Sequence, residues 1–190
     1  MKKGLLIILS GPSGVGKSTV RQLFIDKPEL NLKYSVSMTS REKRDGEQEG
    51  VDYFFVSKEE FEQAIENGEL LEYAEFVGNY YGTPKQKVEE WREQGINVLL
   101  EIEVEGAKKV KDQCPDALTI FIIPPSMTEL ENRIRNRKTE PEEVVQQRLA
   151  KAQKEMTMIN QYKYVVCNED AELAAQVISV IIKGHMKLGK

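Results

Sequence analysis

The chain has 190 residues, 40% of them hydrophobic and 31% charged, which suits one globular domain with a buried core. Its net charge of −4 argues against a general nucleic-acid-binding protein, which would carry a basic surface. Two cysteines, Cys114 and Cys167, are too few for a disulfide scaffold and lack metal-ligand spacing, so we expect them to be reduced in a cytoplasmic protein. No apolar run reaches the length of a membrane span or a signal peptide, so no membrane partner is expected.

Apolar runs that alternate with amphipathic stretches predict strands separated by helices. Ser57 and Glu60 predict a capping box at a helix start, and Gly78–Asn79 predicts a hairpin turn. In chain order, the elements predicted for the first part of the chain are a strand at Leu5–Leu9, a helix in STVRQLFIDK, a strand in YSVSMT, a helix in SKEEFEQAIENG and a hairpin in LLEYAEFVGNYYGT.

The rest of the chain continues the alternation. Thr83 is the expected N-cap of its first helix, with Pro84 at the first helical position, and Ser126 with Glu129 predicts a second capping box. The predicted elements are a helix in TPKQKVEEWREQG, strands in NVLLEIE and ALTIFIIPP, a helix in SMTELENRIRNR, a helix over Glu142–Gln161, a strand in YKYVVCN and a helix over Ala171–Lys187.

Strands separated by helices predict an α/β fold with three layers around a parallel central sheet. Residues 35–83 break the alternation with short strands and turns. We therefore predict a core made of residues 1–34 and 84–190, with residues 35–83 inserted as a substrate-binding lobe.

The segment GPSGVGKST matches the phosphate-loop pattern G-x-x-x-x-G-K-[ST], with a predicted strand before it and a helix after it. Its glycines let backbone N–H groups turn toward phosphate oxygens, Lys17 can reach the β- and γ-phosphates, and the Ser18 hydroxyl can bind Mg²⁺. The pattern predicts binding of a nucleoside triphosphate with Mg²⁺. The residues assigned to it are Gly11, Pro12, Ser13, Gly14, Val15, Gly16, Lys17, Ser18 and Thr19.

An acidic residue at the end of a buried strand commonly binds the metal in phosphoryl-transfer sites. The segment NVLLEIE offers Glu101 and Glu103, which would point to the same face of a strand because the side-chain period is two. We expect at least one of them to lie at the site, with Glu101 as the metal ligand.

A second cationic stretch, SREKRDGEQEGVDYFF, places Arg41 and Arg44 before Tyr53. Guanidinium groups bind phosphate in a planar, bidentate manner, and the hydroxyls of Tyr53 and of the later Tyr81 can donate to the same oxygens. The alternatives are a solvated charged turn or an RNA-binding loop, and the acidic chain argues against RNA.

Longer segments around these motifs resemble guanylate kinases. The similarity is carried by SGPSGVGKST, SVSMTSREKRDGEQEGVDYFFV, LLEYAEFVGNYYGTP, LLEIEVEGAKKVK, FIIPPS and VVCNED, and it covers essentially the whole chain. The resemblance implies a P-loop fold and transfer of the γ-phosphoryl group of ATP, with Mg²⁺, to GMP or dGMP.

The resemblance also implies roles for individual residues. Ser37, Arg41, Arg44, Tyr53 and Tyr81 would hold the GMP phosphate, Glu72 and Thr83 would contact guanine, Glu101 and Glu103 would lie near base and metal, and Asn168 would border the ATP adenine. Guanine presents two adjacent donors that a carboxylate accepts, whereas adenine presents an acceptor there. Many members have Asp at position 103 and Gln at 105, where this chain has Glu.

An arginine-rich lid over about residues 133–148 is the last implied feature. Arg133, Arg137 and Arg148 would place positive charge around the moving phosphoryl group, and the closed lid would exclude water. Arg135 falls on another helix face and is expected in a surface ion pair. The family usually has Gly where Lys138 stands.

Two alternatives remain open at the level of sequence. Ribose bisphosphate kinases resemble this family but would not need the Glu72–Thr83 pair. Guanylate-kinase-like scaffold domains bind peptides, although they typically have a degraded phosphate loop, whereas Lys17 and Ser18 are present here. Monomer and homo-oligomer are equally compatible with the sequence.

Overall fold

The structure is a computed structural model that describes residues 3–76, 78–136 and 141–188. Within these residues it has nine β-strands and seven α-helices. The strands are β1 (Leu6–Ser10), β2 (Leu32–Tyr34), β3 (Met38–Thr39), β4 (Phe54–Phe55), β5 (Leu70–Phe76), β6 (Asn79–Pro84), β7 (Asn97–Glu101), β8 (Leu118–Ile123) and β9 (Tyr164–Cys167). The helices are α1 (Lys17–Gln22), α2 (Lys58–Glu66), α3 (Lys85–Glu93), α4 (Val104–Gln113), α5 (Met127–Arg135), α6 (Glu142–Met156) and α7 (Ala171–Leu188).

The central sheet has five strands in the order β2-β7-β1-β8-β9. Strands β1, β8 and β9 pair in parallel, with Ile7 opposite Leu118 and Ile120 opposite Tyr164. All five residues of β1 are buried, as expected for a strand covered on both faces. The predicted α/β fold with a parallel central sheet is therefore confirmed.

A second sheet has four strands in the order β4-β3-β6-β5. Strands β5 and β6 form the predicted hairpin, and their antiparallel register places Glu72 opposite Thr83. Gly78, with φ of 73°, adopts the left-handed conformation that a tight turn requires at its glycine. This hairpin thus brings two of the predicted base contacts into direct cross-strand contact.

The chain divides into two compact units. The first contains Met1–Leu6, Lys33–Leu100 and Glu105–Ala117, and the second contains Ile7–Leu32, Glu101–Val104 and Leu118–Lys190. In the first unit, Phe61 of α2 stacks on the Tyr80 ring of β6 with 5.2 Å between centroids. In the second, Phe121 of β8 packs on Tyr162, with 4.8 Å between centroids.

Helix termini agree with the sequence at α2 and in part at α5. Ser57 and Glu60 form both bonds of the capping box at α2. At α5, Ser126 accepts the expected bond from the Glu129 N–H, while the Glu129 carboxylate accepts a hydrogen bond from Arg133 Nε at 3.1 Å. At α5 the serine bond of the capping box is therefore formed, and the Glu129 carboxylate forms an ion pair with Arg133.

Three predicted elements differ in the structure. The segment YSVSMT does not form one strand, because Tyr34 ends β2 of the central sheet and Met38 begins β3 of the second sheet. Thr83 is not a helix cap; it lies in β6, and the N-cap of α3 is Pro84. The helix that begins at Glu142 ends at Met156 rather than Gln161, where the Thr157 hydroxyl donates to the Lys154 carbonyl at 2.7 Å.

The helices in the described part of the chain were compared with the requirements for a membrane span. None of them combines the length and the apolar composition needed to cross a bilayer.

Candidate active site

The turn between β1 and α1 depends on glycine. Gly11, Gly14 and Gly16 have φ angles of 152°, 84° and 93°, which residues with a side chain rarely adopt. A Cβ atom at Gly16 would also lie 2.7 Å from Nδ2 of Asn168. The loop therefore has the backbone conformation and the strand–turn–helix setting that phosphate binding requires.

Lys17 is the first residue of α1, and its ammonium group lies on the loop itself. Nζ donates to the carbonyl oxygens of Gly11 at 2.5 Å and of Pro12 at 3.2 Å. Burial lowers the pKa of Lys17, while the nearby carboxylates of Glu101 and Glu155 oppose that shift. The hydroxyl residues Ser18 and Thr19 follow in the first turn of α1 and are exposed.

The wall beside this loop is made by Asn168 and Arg133. Asn168 is buried and donates through Nδ2 to the Val15 carbonyl at 2.7 Å. Arg133 donates to the carbonyls of Asn168 at 3.1 Å and Val15 at 3.5 Å. These residues border a cavity of about 320 Å³ whose lining also includes Gly14, Gly16, Thr19, Glu169 and Ala171. The second unit thus brings two widely separated predicted residues onto the phosphate loop.

The two acidic residues after NVLL are held by different cations. Glu101 ends β7 and accepts from Arg21 Nε at 2.8 Å. Glu103 lies beyond the strand and pairs with Lys151 at 2.5 Å. The prediction that both carboxylates share one strand face is wrong, since β7 ends at Glu101 and the period-two rule no longer applies to Glu103.

The lid arginines are only partly within the described residues. Arg137 lies outside them, while Arg148 is half-buried on α6. Arg148, Lys151 and Glu155 are spaced three and four apart, so they share one face of that helix. Arg135 forms ion pairs with Glu131 at 2.8 Å and with Glu142 at 2.6 Å, which confirms its expected surface role.

In the first unit, Arg41 lies among aromatic rings. Its guanidinium carbon is 5.5 Å from the Tyr53 ring centroid and 5.8 Å from that of Phe55. Tyr53 and Tyr81 meet edge to face at 6.0 Å between centroids. Three of the five residues predicted to hold the acceptor phosphate are therefore clustered, with the cation oriented by ring faces.

Glu47 is a part of this group that sequence reasoning missed. Its carboxylate accepts from Arg41 Nη2 at 2.7 Å and from the backbone N–H of Arg44 at 2.8 Å. Burial alone would raise the pKa of Glu47, but the hydrogen bonds from Arg41 and Arg44 outweigh it and lower that pKa. For Arg41, burial lowers the pKa, and the bonds to Glu47 outweigh that and raise it. The signal in the sequence was an acid three residues after Arg44.

The other two predicted phosphate contacts have different surroundings. Arg44 is exposed, and its backbone N–H donates to Glu47. Ser37 is buried just before β3, and its carbonyl accepts from the Phe54 N–H at 2.9 Å. Ser37 is thereby fixed beside β4, the strand that Tyr53 immediately precedes.

Glu72 and Thr83 form a buried polar pair on the hairpin. The Thr83 hydroxyl donates to Glu72 Oε1 at 2.7 Å, and the residues are 1% and 7% exposed, respectively. A buried carboxylate is unfavourable unless it is hydrogen-bonded, so this arrangement prepares an acceptor for a ligand with donors. The two residues that the resemblance assigns to guanine are thus in direct contact with each other.

Comparisons with known proteins agree on one family. The family model described as guanylate kinase matches residues 3–184. The crystal structure of guanylate kinase from Anaplasma phagocytophilum is 37% identical, with a TM-score of 0.79, and the match covers 97% of this chain and 87% of that chain. Shikimate kinase from Bacteroides thetaiotaomicron is 17% identical, with a TM-score of 0.51 over 94% of this chain and 98% of that one, a likeness of fold alone.

Proposed function

The chain belongs to the guanylate kinase family and is an ATP:GMP phosphotransferase, and we propose that its donor and acceptor nucleotides are held by the two groups of residues described above. In this proposal the phosphate loop and its wall hold ATP. The loop with Arg41 and the hairpin with Glu72 hold GMP. Residues 35–83 act as the acceptor lobe, and residues 133–148 act as a lid.

On the donor side, the backbone N–H groups of residues 11–19, other than Pro12, surround the phosphates of ATP. Lys17 exchanges the carbonyls of Gly11 and Pro12 for β- and γ-phosphate oxygens. Its desolvated ammonium favours this exchange, because a phosphate carries more negative charge than a carbonyl. Asn168 supports the loop through Val15 and borders the adenine.

The oxygen donors at this loop fit Mg²⁺. Among the described residues, no cluster of three acidic, histidine or cysteine side chains could hold a metal by itself. Mg²⁺ commonly takes one or two protein oxygens together with substrate phosphates and water. The exposed hydroxyl of Ser18 and the carboxylate of Glu101 are such oxygens. When bound with ATP, the ion neutralises charge on the phosphates.

On the acceptor side, Arg41, Arg44, Tyr53, Tyr81 and Ser37 bind the phosphate of GMP. Arg41 uses one edge for Glu47 and the Glu42 carbonyl, at 2.7 Å and 2.6 Å, and keeps further donors for phosphate. Since the guanidinium is already oriented by these contacts and by the rings, little side-chain entropy is lost when phosphate binds.

The buried Glu72–Thr83 pair is the observation that carries the choice of guanine. A carboxylate accepts from N1–H and N2–H₂ of guanine together, and Thr83 can donate to O6. Adenine would place an acceptor against Glu72 where guanine places two donors, so it is disfavoured. By resemblance, Glu101 and Glu103 are also assigned to the nucleotide site, Glu101 as the metal ligand.

The transfer itself needs positioning and positive charge. An oxygen of the GMP phosphate attacks the γ-phosphorus of ATP as the bond to the β–γ bridging oxygen breaks, giving GDP and ADP without a covalent enzyme intermediate. Arg133, Arg137 and Arg148 supply charge around the moving group, and Arg133 already lies on the loop through Val15.

The proposed contacts also bear on which nucleotides the enzyme accepts. They involve base and phosphate, so we expect dGMP to be accepted as well as GMP. The net charge of −4 disfavours nucleic acid as a partner. We propose that the enzyme acts in the cytoplasm on these small molecules, with no membrane partner.

Following ADP release with ATP, Mg²⁺ and each nucleoside monophosphate in turn tests the proposal. We expect turnover with GMP and dGMP and little with AMP, CMP or UMP. Absence of turnover with GMP would remove the proposal as a whole. Equal turnover with AMP would remove the assignment of Glu72 and Thr83 to the base.

A further inference from the structure

Gly106 lies in the first turn of α4, and the space beside it is taken by Glu72. A Cβ atom added at Gly106 would overlap Oε2 of Glu72 and would lie 2.9 Å from Cδ and 3.5 Å from Cγ. Both residues belong to the first unit. The Glu72 carboxylate therefore occupies the space that a side chain at Gly106 would fill.

A side chain at Gly106 would meet a side chain and not the backbone, so its effect on function can differ from its effect on folding. The three heavy atoms nearest to a Cβ at Gly106 all belong to the Glu72 side chain. A side-chain end can rotate away, whereas backbone atoms cannot. Alanine is also a better helix former than glycine. Gly106→Ala should therefore leave α4 intact and displace the carboxylate.

We propose that Gly106 is a specificity-determining residue, because its missing side chain keeps Glu72 in the position from which it accepts the donors of guanine. The inference rests on the proposed function, in which Glu72 contacts the base. Guanine selection would then depend on the contact between Gly106 and Glu72 as well as on the hydrogen bond from Thr83 to Glu72.

Gly184 provides a matched control. It lies within α7, and a Cβ there would have no heavy atom within 4 Å. Gly184→Ala introduces the same methyl group into a helix without touching any other side chain. Any change that the two variants share is due to helix propensity, and any change peculiar to Gly106→Ala is due to the neighbour.

The experiment measures the dissociation constants of GMP and ATP by calorimetry and the thermal midpoint of unfolding for Gly106→Ala, Gly184→Ala, Glu72→Ala and the double variant Gly106→Ala/Glu72→Ala. In Gly106→Ala we expect GMP binding to weaken by about ten-fold or more, with ATP binding changed by less than about two-fold. Gly184→Ala should bind both nucleotides like the wild type. In the Glu72→Ala background, Gly106→Ala should have no further effect on GMP binding, because no carboxylate remains to be displaced.

Contrary outcomes are equally distinct. Unchanged GMP binding in Gly106→Ala, or equal weakening for both nucleotides, would overturn the inference. If Gly106→Ala lowers the unfolding midpoint, the same drop in the Glu72→Ala background would also overturn it, since the collision would not involve the carboxylate. Recovery of the midpoint in that background would support it. A wild-type protein that turns over no GMP overturns the proposed function instead, which separates the two failures.

Discussion

The proposed donor loop and the proposed acceptor loop offer different parts of the chain to phosphate. Residues 11–19 rely on backbone shape, with three glycines at positive φ and Lys17 resting on main-chain carbonyls. The acceptor group relies on side chains, with Arg41 held by Glu47 and by the rings of Tyr53 and Phe55. The first unit also contains a buried carboxylate at Glu72, which accepts a hydrogen bond from Thr83.

This difference has a consequence for how each region tolerates change. A backbone site fails when a side chain is added, as a Cβ at Gly16 against Asn168 illustrates. A side-chain site fails when a functional group is shortened or loses its charge. Single substitutions in each region test this contrast.

Lys17→Met should have the largest effect, because Lys17 is the loop's positively charged side chain and is predicted to lie on the transferred phosphate. We expect kcat to fall by about 100- to 1,000-fold, with GMP affinity unchanged. Steady-state kinetics and calorimetry with GMP give both values. Lys87→Met, at an exposed position on α3, is the control and should behave as the wild type. Normal turnover by Lys17→Met would contradict the donor assignment.

Glu72→Gln should act on the other nucleotide. Glutamine presents only one acceptor to guanine and places a donor against its donors, so we expect the dissociation constant of GMP to rise by about 10- to 100-fold. ATP affinity should be unchanged. Glu75→Gln, exposed on the same strand, serves as the control. Equal weakening of ATP and GMP would mean that Glu72 does not contact the acceptor base.

Arg41→Lys should have a smaller effect on the acceptor side. The charge remains, but a lysine cannot keep the planar contacts with Glu47, Tyr53 and phosphate at the same time. We expect GMP to bind about ten-fold more weakly, and the loss should be the same for dGMP. Arg135→Lys is the control, since Arg135 pairs with surface glutamates. An unchanged GMP dissociation constant would show that Arg41 serves the fold of the loop only.

Glu47→Gln should give the smallest effect, and it should depend on pH. Because the pKa of Glu47 is lowered from its ordinary 4.5, its carboxylate stabilises the folded state above that value and loses this contribution as pH falls through the lowered pKa. We expect the variant to melt about 1–3 °C below the wild type at pH 7. The gap should close as pH falls below 4.5.

Glu42→Gln, an exposed neighbour, should show no such gap at either pH. Thermal melts of the three proteins between pH 7 and pH 3.5 provide the comparison. A gap for Glu47→Gln that persists unchanged at the lowest pH would mean that its cause is not the ionised carboxylate.

The contrast between the two regions also explains what could be predicted from the sequence. The donor loop is contiguous, so its pattern could be recognised from residues 11–19 alone, together with the apolar run before it. The proposed acceptor site is assembled around strands of a second sheet, and only the resemblance joined Glu72 to Arg41. The side-chain spacing within any one segment could not show that Glu72 faces Thr83, because that contact depends on hairpin register.

The errors have physical reasons. Threonine is a common helix N-cap residue, but the Thr83 hydroxyl donates to Glu72 and its backbone belongs to β6. The segment YSVSMT changes partners midway, since Ser35 N–H donates to Leu99 and Ser37 accepts from Phe54. The roles of Glu47 and Gly106 were missed because each depends on a contact with a residue outside its own pattern.

The hydrogen bond from Thr83 to Glu72 has a consequence for base recognition that follows from counting protons. A threonine hydroxyl has one hydrogen, and that hydrogen is committed to Oε1 of Glu72. Donation to O6 of guanine therefore requires Thr83 to release the carboxylate, whose oxygens then receive N1–H and N2–H₂. In the proposed site, guanine binding would therefore exchange partners within this polar pair, and a base that lacks donors would leave the bond from Thr83 to Glu72 in place.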